Sequence, residues 1–177
     1  MAERTAYELA DWQGYLTRAE VDFLKQLSGT LSDNPVIINV GAGAGTSTLA
    51  FLEARPDAIV FSIDKKLTES EVTTNEHLRL KEISEEKANR VIRIWGDSGL
   101  VATVWPYYAD MVFVDGDHSE AGVSNDIIWK HRLKGGGVFA FHDYGSEKWP
   151  AVKKVVDNYV VDFTDIGLVD SVKAFRV

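Results

Sequence analysis

Two short motifs carry most of the side chains that could do chemistry. Asp115-Gly116-Asp117-His118 and His142-Asp143-Tyr144 together supply three carboxylates and two imidazoles, with no Lys or Arg in either. Carboxylates crowded together repel, so such a group holds a cation, shares a proton or pairs with a base. Asp and His around an open position suit Mg2+, Mn2+ or another divalent ion better than a closed structural zinc site. The alternative is a metal-free hydrogen-bonded cluster that shapes a substrate pocket. The chain contains no cysteine, which removes thiolate ligands and disulfides from consideration.

A second motif is built to meet a ligand with backbone rather than side chains. Gly41-Ala42-Gly43-Ala44-Gly45 follows an apolar run and opens a helical stretch. Glycine there permits a tight turn and close approach of a ligand to bare main chain. The spacing is GxGxG, and Thr46 stands where a dinucleotide fingerprint wants a small residue. The Walker A lysine is missing as well, so a P-loop is rejected. Asp64, 19 positions beyond Gly45, closes the next strand and is placed to accept from both hydroxyls of a ribose.

These residues need elements to position them, and the pattern supplies alternating strands and helices. Strands are expected at 36–40, 58–63, 91–95, 111–114 and 138–141. Helices are expected after the Thr17-Arg18-Ala19-Glu20 capping box, and over 47–54, 68–89, 119–133 and 150–159. Gly135 to Gly137 are expected to stop a helix and turn the chain into the fifth strand. Two strand-like segments, 160–164 and 171–177, lie too close for a crossover helix and are expected to pair antiparallel. The fold class is therefore α/β, a mostly parallel sheet with helices on both faces. In such a sheet ligands bind beyond the carboxyl ends of the strands, which is where every motif above falls.

The chain has 177 residues, 45% hydrophobic and 26% charged, with a net charge of −8. One domain over 1–177 is expected, with a helical N-terminal extension at 1–34 and a cofactor-binding core at 35–177. That extension, with Tyr7, Trp12 and Tyr15, is a candidate lid, a candidate contact in a homodimer, or simply a layer packed on the sheet. The acidic balance disfavours nucleic acid as a partner. No signal peptide or membrane span is legible, and a soluble cytoplasmic protein is expected. Asp126 is expected to be structural, Trp129 core, and Trp95 and Trp105 either core or pocket packing. Tyr144 and Lys148 have the YxxxK spacing of short-chain dehydrogenases, but Gly145 and Pro150 break the helix that spacing requires.

Over roughly residues 36 to 177 the sequence resembles the class I S-adenosylmethionine-dependent methyltransferases, its first motif being Asn39-Val40-Gly41-Ala42-Gly43-Ala44-Gly45-Thr46-Ser47. The stretch VDGDHSEAGVSNDIIWKHRLKGGGVFAFHDY further resembles bacterial O-methyltransferases of natural-product sugars and cephalosporin-hydroxylase-like proteins. The resemblance implies a Rossmann-like sheet in the order 3-2-1-4-5-7-6 with strand 7 antiparallel. It implies S-adenosyl-L-methionine held by Asn39, Val40, Gly41, Ala42, Gly43, Gly45, Thr46, Ser47, Asp64, Gly96, Asp97, Ser98 and Asp115. It implies Mg2+ or another divalent cation on Asp115, His142 and Asp143, where His142 departs from the carboxylate of the relatives. Methyl transfer to an oxygen of a small-molecule acceptor follows, with Asp117 as the base and His118 as the second candidate. A non-catalytic cofactor-binding scaffold is the rival reading, and an NAD(P)-dependent oxidoreductase a more distant one.

Overall fold

The computed structural model describes residues 3–13, 15–65 and 83–177. Its sheet is made of β1 (Val36–Val40), β2 (Ile59–Asp64), β3 (Val91–Trp95), β4 (Ala109–Val114), β5 (Leu133–Phe141), β6 (Thr164–Val169) and β7 (Val172–Arg176), in the order β3-β2-β1-β4-β5-β7-β6. The first five strands run parallel, and β7 is antiparallel to both β5 and β6. This is the class I methyltransferase topology that the sequence implies.

The central strands β1 and β4 and the second half of β5 bury both faces, alternate residues facing different helical layers. Ile37, Val60, Met111, Phe113, Val138 and Ala140 pack against α1 (Ala6–Gln13), α2 (Arg18–Gly29) and α3 (Thr46–Ala54). Ile38, Ile63, Val112, Val114, Phe139 and Phe141 face the opposite layer. That layer contains α5 (Ser98–Val104), α6 (Glu120–Asp126), the 3-10 turn Ile127–Arg132 and α7 (Pro150–Tyr159). Trp105 and Trp129 are core residues of this layer, whereas Trp95 is half exposed. The N-terminal region packs on the sheet: Leu9, Leu16, Val21, Leu24 and Leu27 are buried, while Trp12 and Tyr15 remain exposed. Among the described residues no helix is long and apolar enough to cross a membrane.

Register brings the functional loops to one edge. Val40 is level with Ile63 and Val114, and Val114 with Phe141. The ladder then continues one residue beyond the strands: Gly41 N–H donates to Ile63 O (2.8 Å), Asp115 N–H to Val40 O (2.8 Å) and His142 N–H to Val114 O (3.0 Å). The backbones of Gly41, Asp115 and His142 are thus fixed by the sheet itself.

Three expectations need correction. The glycines at 135–137 lie inside β5, not before it. Gly136 has φ +79° and a Cβ on Gly137 would stand 3.0 Å from Asp110 O, at the place where the β4–β5 register shifts, so the glycines accommodate an irregularity in the ladder. The helix expected at 119–133 ends as α6 at Asp126 and continues as the 3-10 turn. The apolar residues at 160–164 are not a strand. Val160 N–H closes α7 on Val156 O, Phe163 N–H bonds Val160 O, and these side chains plug the core at the helix end. β6 instead begins at Thr164, and the hairpin turns at Asp170-Ser171 with Asp170 at φ +48°. The helix expected at 68–89 lies mostly outside the described residues; its described end is α4 (Glu85–Ala88).

Candidate functional site

The glycine loop occupies the space the sheet leaves at the end of β1. Gly41 has φ +87°, and a Cβ there would stand 2.0 Å from the carbonyl oxygen of Asp115, so only glycine fits. Gly43 and Gly45 are also left-handed, and Gly45 caps α3. Behind the loop, Ser47 Oγ donates to Asn39 Oδ1 (3.2 Å) and Asn39 Nδ2 to Thr48 Oγ1 (3.0 Å). Asn39, Thr46 and Ser47 are buried there, fastening the start of α3 to the end of β1.

The loop forms one wall of a solvent-open cleft of about 210 Å³. Of the residues expected to hold cofactor, Val40, Gly41, Gly43, Asp64, Gly96, Asp97, Ser98 and Asp115 line it, whereas Asn39, Ala42, Gly45, Thr46 and Ser47 do not. Asp64 Oδ2 accepts from Ala42 N–H (3.0 Å) and Gly43 N–H (3.4 Å), tying the loop to β2. Asp97 caps α5: its Oδ1 accepts from Leu100 N–H (3.0 Å) and Asn125 Nδ2 (2.7 Å), and the Asn125 bond leads in holding the carboxyl below its ordinary range. Ser98 Oγ accepts from Trp129 Nε1 at 2.7 Å. The cleft also has Lys65, Asn125 and Asp126 in its lining, which the sequence did not single out for the site. Asp126 is buried, and burial pushes its carboxyl up to about 7.

The acidic motifs converge on a cluster that shares Asp115 with the lining of this cleft. Ligand-capable atoms of Asp115, His118, His142 and Asp143 all lie within 4.8 Å of one another. His142 Nδ1 is 3.0 Å from Asp115 Oδ1 and 3.4 Å from Asp143 Oδ2. His118 Nε2 is 2.9 Å from Asp143 Oδ2 and 3.4 Å from Asp115 Oδ1, yet it is buried and makes no aligned hydrogen bond. The ring of His118 stacks on Trp149 at 4.9 Å. Burial alone would raise the Asp115 carboxyl, but His118 and His142 outweigh it and hold it low. Burial likewise opposes charge on His142, and the carboxylates of Asp115 and Glu20 overcome it, raising His142 to about 10.

Asp117 stands apart from this group. Its Oδ1 accepts from Ser119 N–H (3.0 Å) and its Oδ2 pairs with Lys65 Nζ (3.1 Å). Ser119, ahead of Lys65, brings its carboxyl down to about 2. Tyr144 bonds Asp157 (2.6 Å) and Lys153 (3.0 Å) rather than Lys148, so the YxxxK spacing has no counterpart in space. Glu20 was legible only as a capping-box acid; its approach to His142 spans too much sequence to leave any local signal.

A parallel sheet with one antiparallel strand next to its edge, a glycine loop after β1 and acids after β2 and β3 define a class I methyltransferase domain. Residues 38–144 match the Methyltransferase domain family, and the chain belongs to that family and is an S-adenosylmethionine-dependent methyltransferase. No curated protein matches it in sequence. Among solved structures it is similar to the S-adenosylhomocysteine-bound methyltransferase PaMTH1 of Podospora anserina, with 15% identity, 97% of this chain and 86% of that one covered, and a TM-score of 0.72. It is similar to the O-methyltransferase TomG of Streptomyces achromogenes in complex with S-adenosylmethionine, at 17% identity, 97% and 85% coverage and a TM-score of 0.68. It also resembles the MycE methyltransferase of the mycinamycin pathway, a complex with Mg and S-adenosylhomocysteine, at 15% identity, 98% and 55% coverage and a TM-score of 0.65.

Proposed function

We propose that the chain transfers the methyl group of S-adenosylmethionine to a hydroxyl oxygen of a small-molecule acceptor, with a divalent cation beside the reacting groups. The observation that carries this is the convergence of Asp115, His118, His142 and Asp143 in a cluster that shares Asp115 with the cleft lining. Asp115 belongs to both, its main chain against Gly41 and its carboxylate among the imidazoles.

The donor set fits a cation. Two carboxylates and two imidazoles converge, and the buried Nε2 of His118 has no aligned partner. Asp115, His142 and Asp143 would hold the ion, and nitrogen donors favour Mn2+ or another transition ion over Mg2+. Bound there, it would lower the pKa of an acceptor hydroxyl and position it.

The chain's own residues account for the rest. The glycine loop and Asp64 place the cofactor so that methyl and acceptor meet in line; the sulfonium is already activated, and no covalent enzyme intermediate is needed. Of the two candidate bases, this proposal favours His118 over Asp117. The carboxylate of Asp117 is engaged by Ser119 and Lys65 and is a weak base at a pKa of about 2. His118 Nε2 lies within the cluster, 2.9 Å from Asp143 Oδ2 but in no aligned hydrogen bond, and its ring is held by stacking on Trp149.

The test is a panel of phenolic, catechol and sugar acceptors assayed with S-adenosylmethionine, with and without Mn2+ or Mg2+. His118→Asn is expected to lower turnover at least 100-fold with S-adenosylhomocysteine affinity kept, and Asp117→Asn to cost less than 10-fold. A larger loss from Asp117→Asn returns the base to that residue. Turnover indifferent to chelator removes the cation from the reaction.

A further inference from the structure

The buried acid of the N-terminal region is an anomaly for a helix cap. Glu20 closes the capping box as the third residue of α2, a position that ordinarily lies at the surface. Here it is only 2% exposed. Burying a carboxylate costs several kcal/mol unless other groups compensate, and capping a helix does not require it. Beside its own cap residue, its partners come from two distant segments. Oε2 accepts from Thr17 N–H (2.8 Å), and Oε1 accepts from Ser171 N–H (2.9 Å) and Ser171 Oγ (2.7 Å) in the β6–β7 turn. The remaining neighbour is His142 Nε2, 3.4 Å from Oε2.

That last contact bears on the site. The backbone of His142 is fixed by its N–H bond to Val114 O, so the side chain retains only its ring orientation. Nδ1 faces Asp115 and Asp143 while Nε2 faces Glu20. Turning the ring over would put carbon at both nitrogen positions and lose both sets of contacts. A carboxylate on the far nitrogen of a ligating imidazole also keeps the proton there, leaving the near nitrogen for the ion.

We infer that Glu20 is a positioning residue: from α2 it orients His142 so that Nδ1 is presented to the Asp115–Asp143 cluster, which makes the N-terminal helices a brace of the site. This rests on the cation reading proposed above. Gln cannot replace Glu20 isosterically. Its NH2 would face a donor on either side, Thr17 N–H and His142 on one, Ser171 on the other.

The experiment is isothermal titration of the full chain with Mn2+, together with thermal unfolding, for wild type, Glu20→Gln, Ser171→Ala and Thr17→Ala. Thr17→Ala removes the cap hydroxyl and its bond to Asp170 but leaves the Thr17 N–H that Glu20 accepts. Folded Glu20→Gln is expected to bind Mn2+ about 10- to 100-fold more weakly. Thr17→Ala is expected to unfold at lower temperature with Mn2+ affinity unchanged. If Glu20→Gln does not fold, Ser171→Ala, which loosens the carboxylate by one bond, is expected to shift affinity the same way by roughly 2- to 5-fold. Wild-type affinity in folded Glu20→Gln overturns the inference, as does an equal loss in Thr17→Ala, which would make the effect one of general helix docking; so does unchanged affinity in Ser171→Ala where that variant stands in. Wild type that takes up no Mn2+ overturns the cation reading, and the inference with it.

Discussion

Asp126 lines the cleft beside the glycine loop, 4% exposed, with Asp97, Asp117 and Lys65 as the charges around it. Burial is the main cause that lifts its carboxyl from 3.8 to about 7. In the unfolded chain the same group ionises near 3.9, so between about pH 4 and 7 the folded protein holds the extra proton. Its contribution to stability is therefore complete below pH 4 and is lost as pH rises through 7. Asp126→Asn removes the ionisation without changing shape. The variant is expected to match wild type in urea unfolding at pH 4.5 and to exceed it at pH 8, by at most about 4 kcal/mol for a shift near three units. A gain of equal size at both pH values would show that Asp126 does not ionise within this range. Gly41 is the opposite case at the same scale: a glycine after a strand marked a backbone need in the sequence, although the Asp115 carbonyl that imposes it comes from β4 and left no local signal.

At the scale of elements, legibility followed the range of the forces. β1 and β3, α7 and the Thr17 capping box lie where local periodicity and capping residues put them. Such signals are complete within a few residues. The glycines at 135–137 were misread because the same composition serves a helix stop and an irregular strand, and only pairing with β4 decides between them. The segment 160–164 was misread because apolar residues that plug a helix end look like a buried strand. Convergence of Asp115, His118, His142 and Asp143 was foreseeable from topology, since β4 and β5 are neighbours, but the arrival of Glu20 from α2 was not. A second long-range tie has the same character. Asp110, 5% exposed at the start of β4, accepts from Val36 N–H (2.8 Å), Ser32 Oγ (3.2 Å) and Lys134 Nζ (2.8 Å), so it joins β1, β4 and β5 at the end opposite the site. Asp110→Ala would leave the Val36 N–H unpaired. It is expected to cost about 2–3 kcal/mol in urea unfolding while S-adenosylhomocysteine affinity stays within twofold, since the cleft lies at the other end of the strands.

For the whole molecule, charge selects ligands before any pocket does. The chain carries a net −8, and the cleft sets Asp64, Asp97 and Asp117 against Lys65. S-adenosylmethionine carries one net positive charge through its sulfonium, and S-adenosylhomocysteine carries none. One unit charge about 8 Å from another is worth roughly 1 kcal/mol at an effective dielectric of about 40, so the field distinguishes the two cofactor forms by several-fold in affinity. The same field would favour a cation over a polyphosphate near the cleft. Because the cleft is open to solvent, salt screens this term, with a Debye length of about 10 Å at 0.1 M. Raising NaCl from 0.05 to 0.5 M is expected to weaken S-adenosylmethionine about 3- to 10-fold and S-adenosylhomocysteine less than twofold by titration calorimetry, with RNA unretained at either salt. If the two cofactor forms weaken in parallel, the sulfonium lies beyond reach of those carboxylates and the preference must come from contact geometry alone. RNA retained at low salt would instead mean that a local basic surface outweighs the net charge, and the acceptor class would have to be reconsidered from that surface.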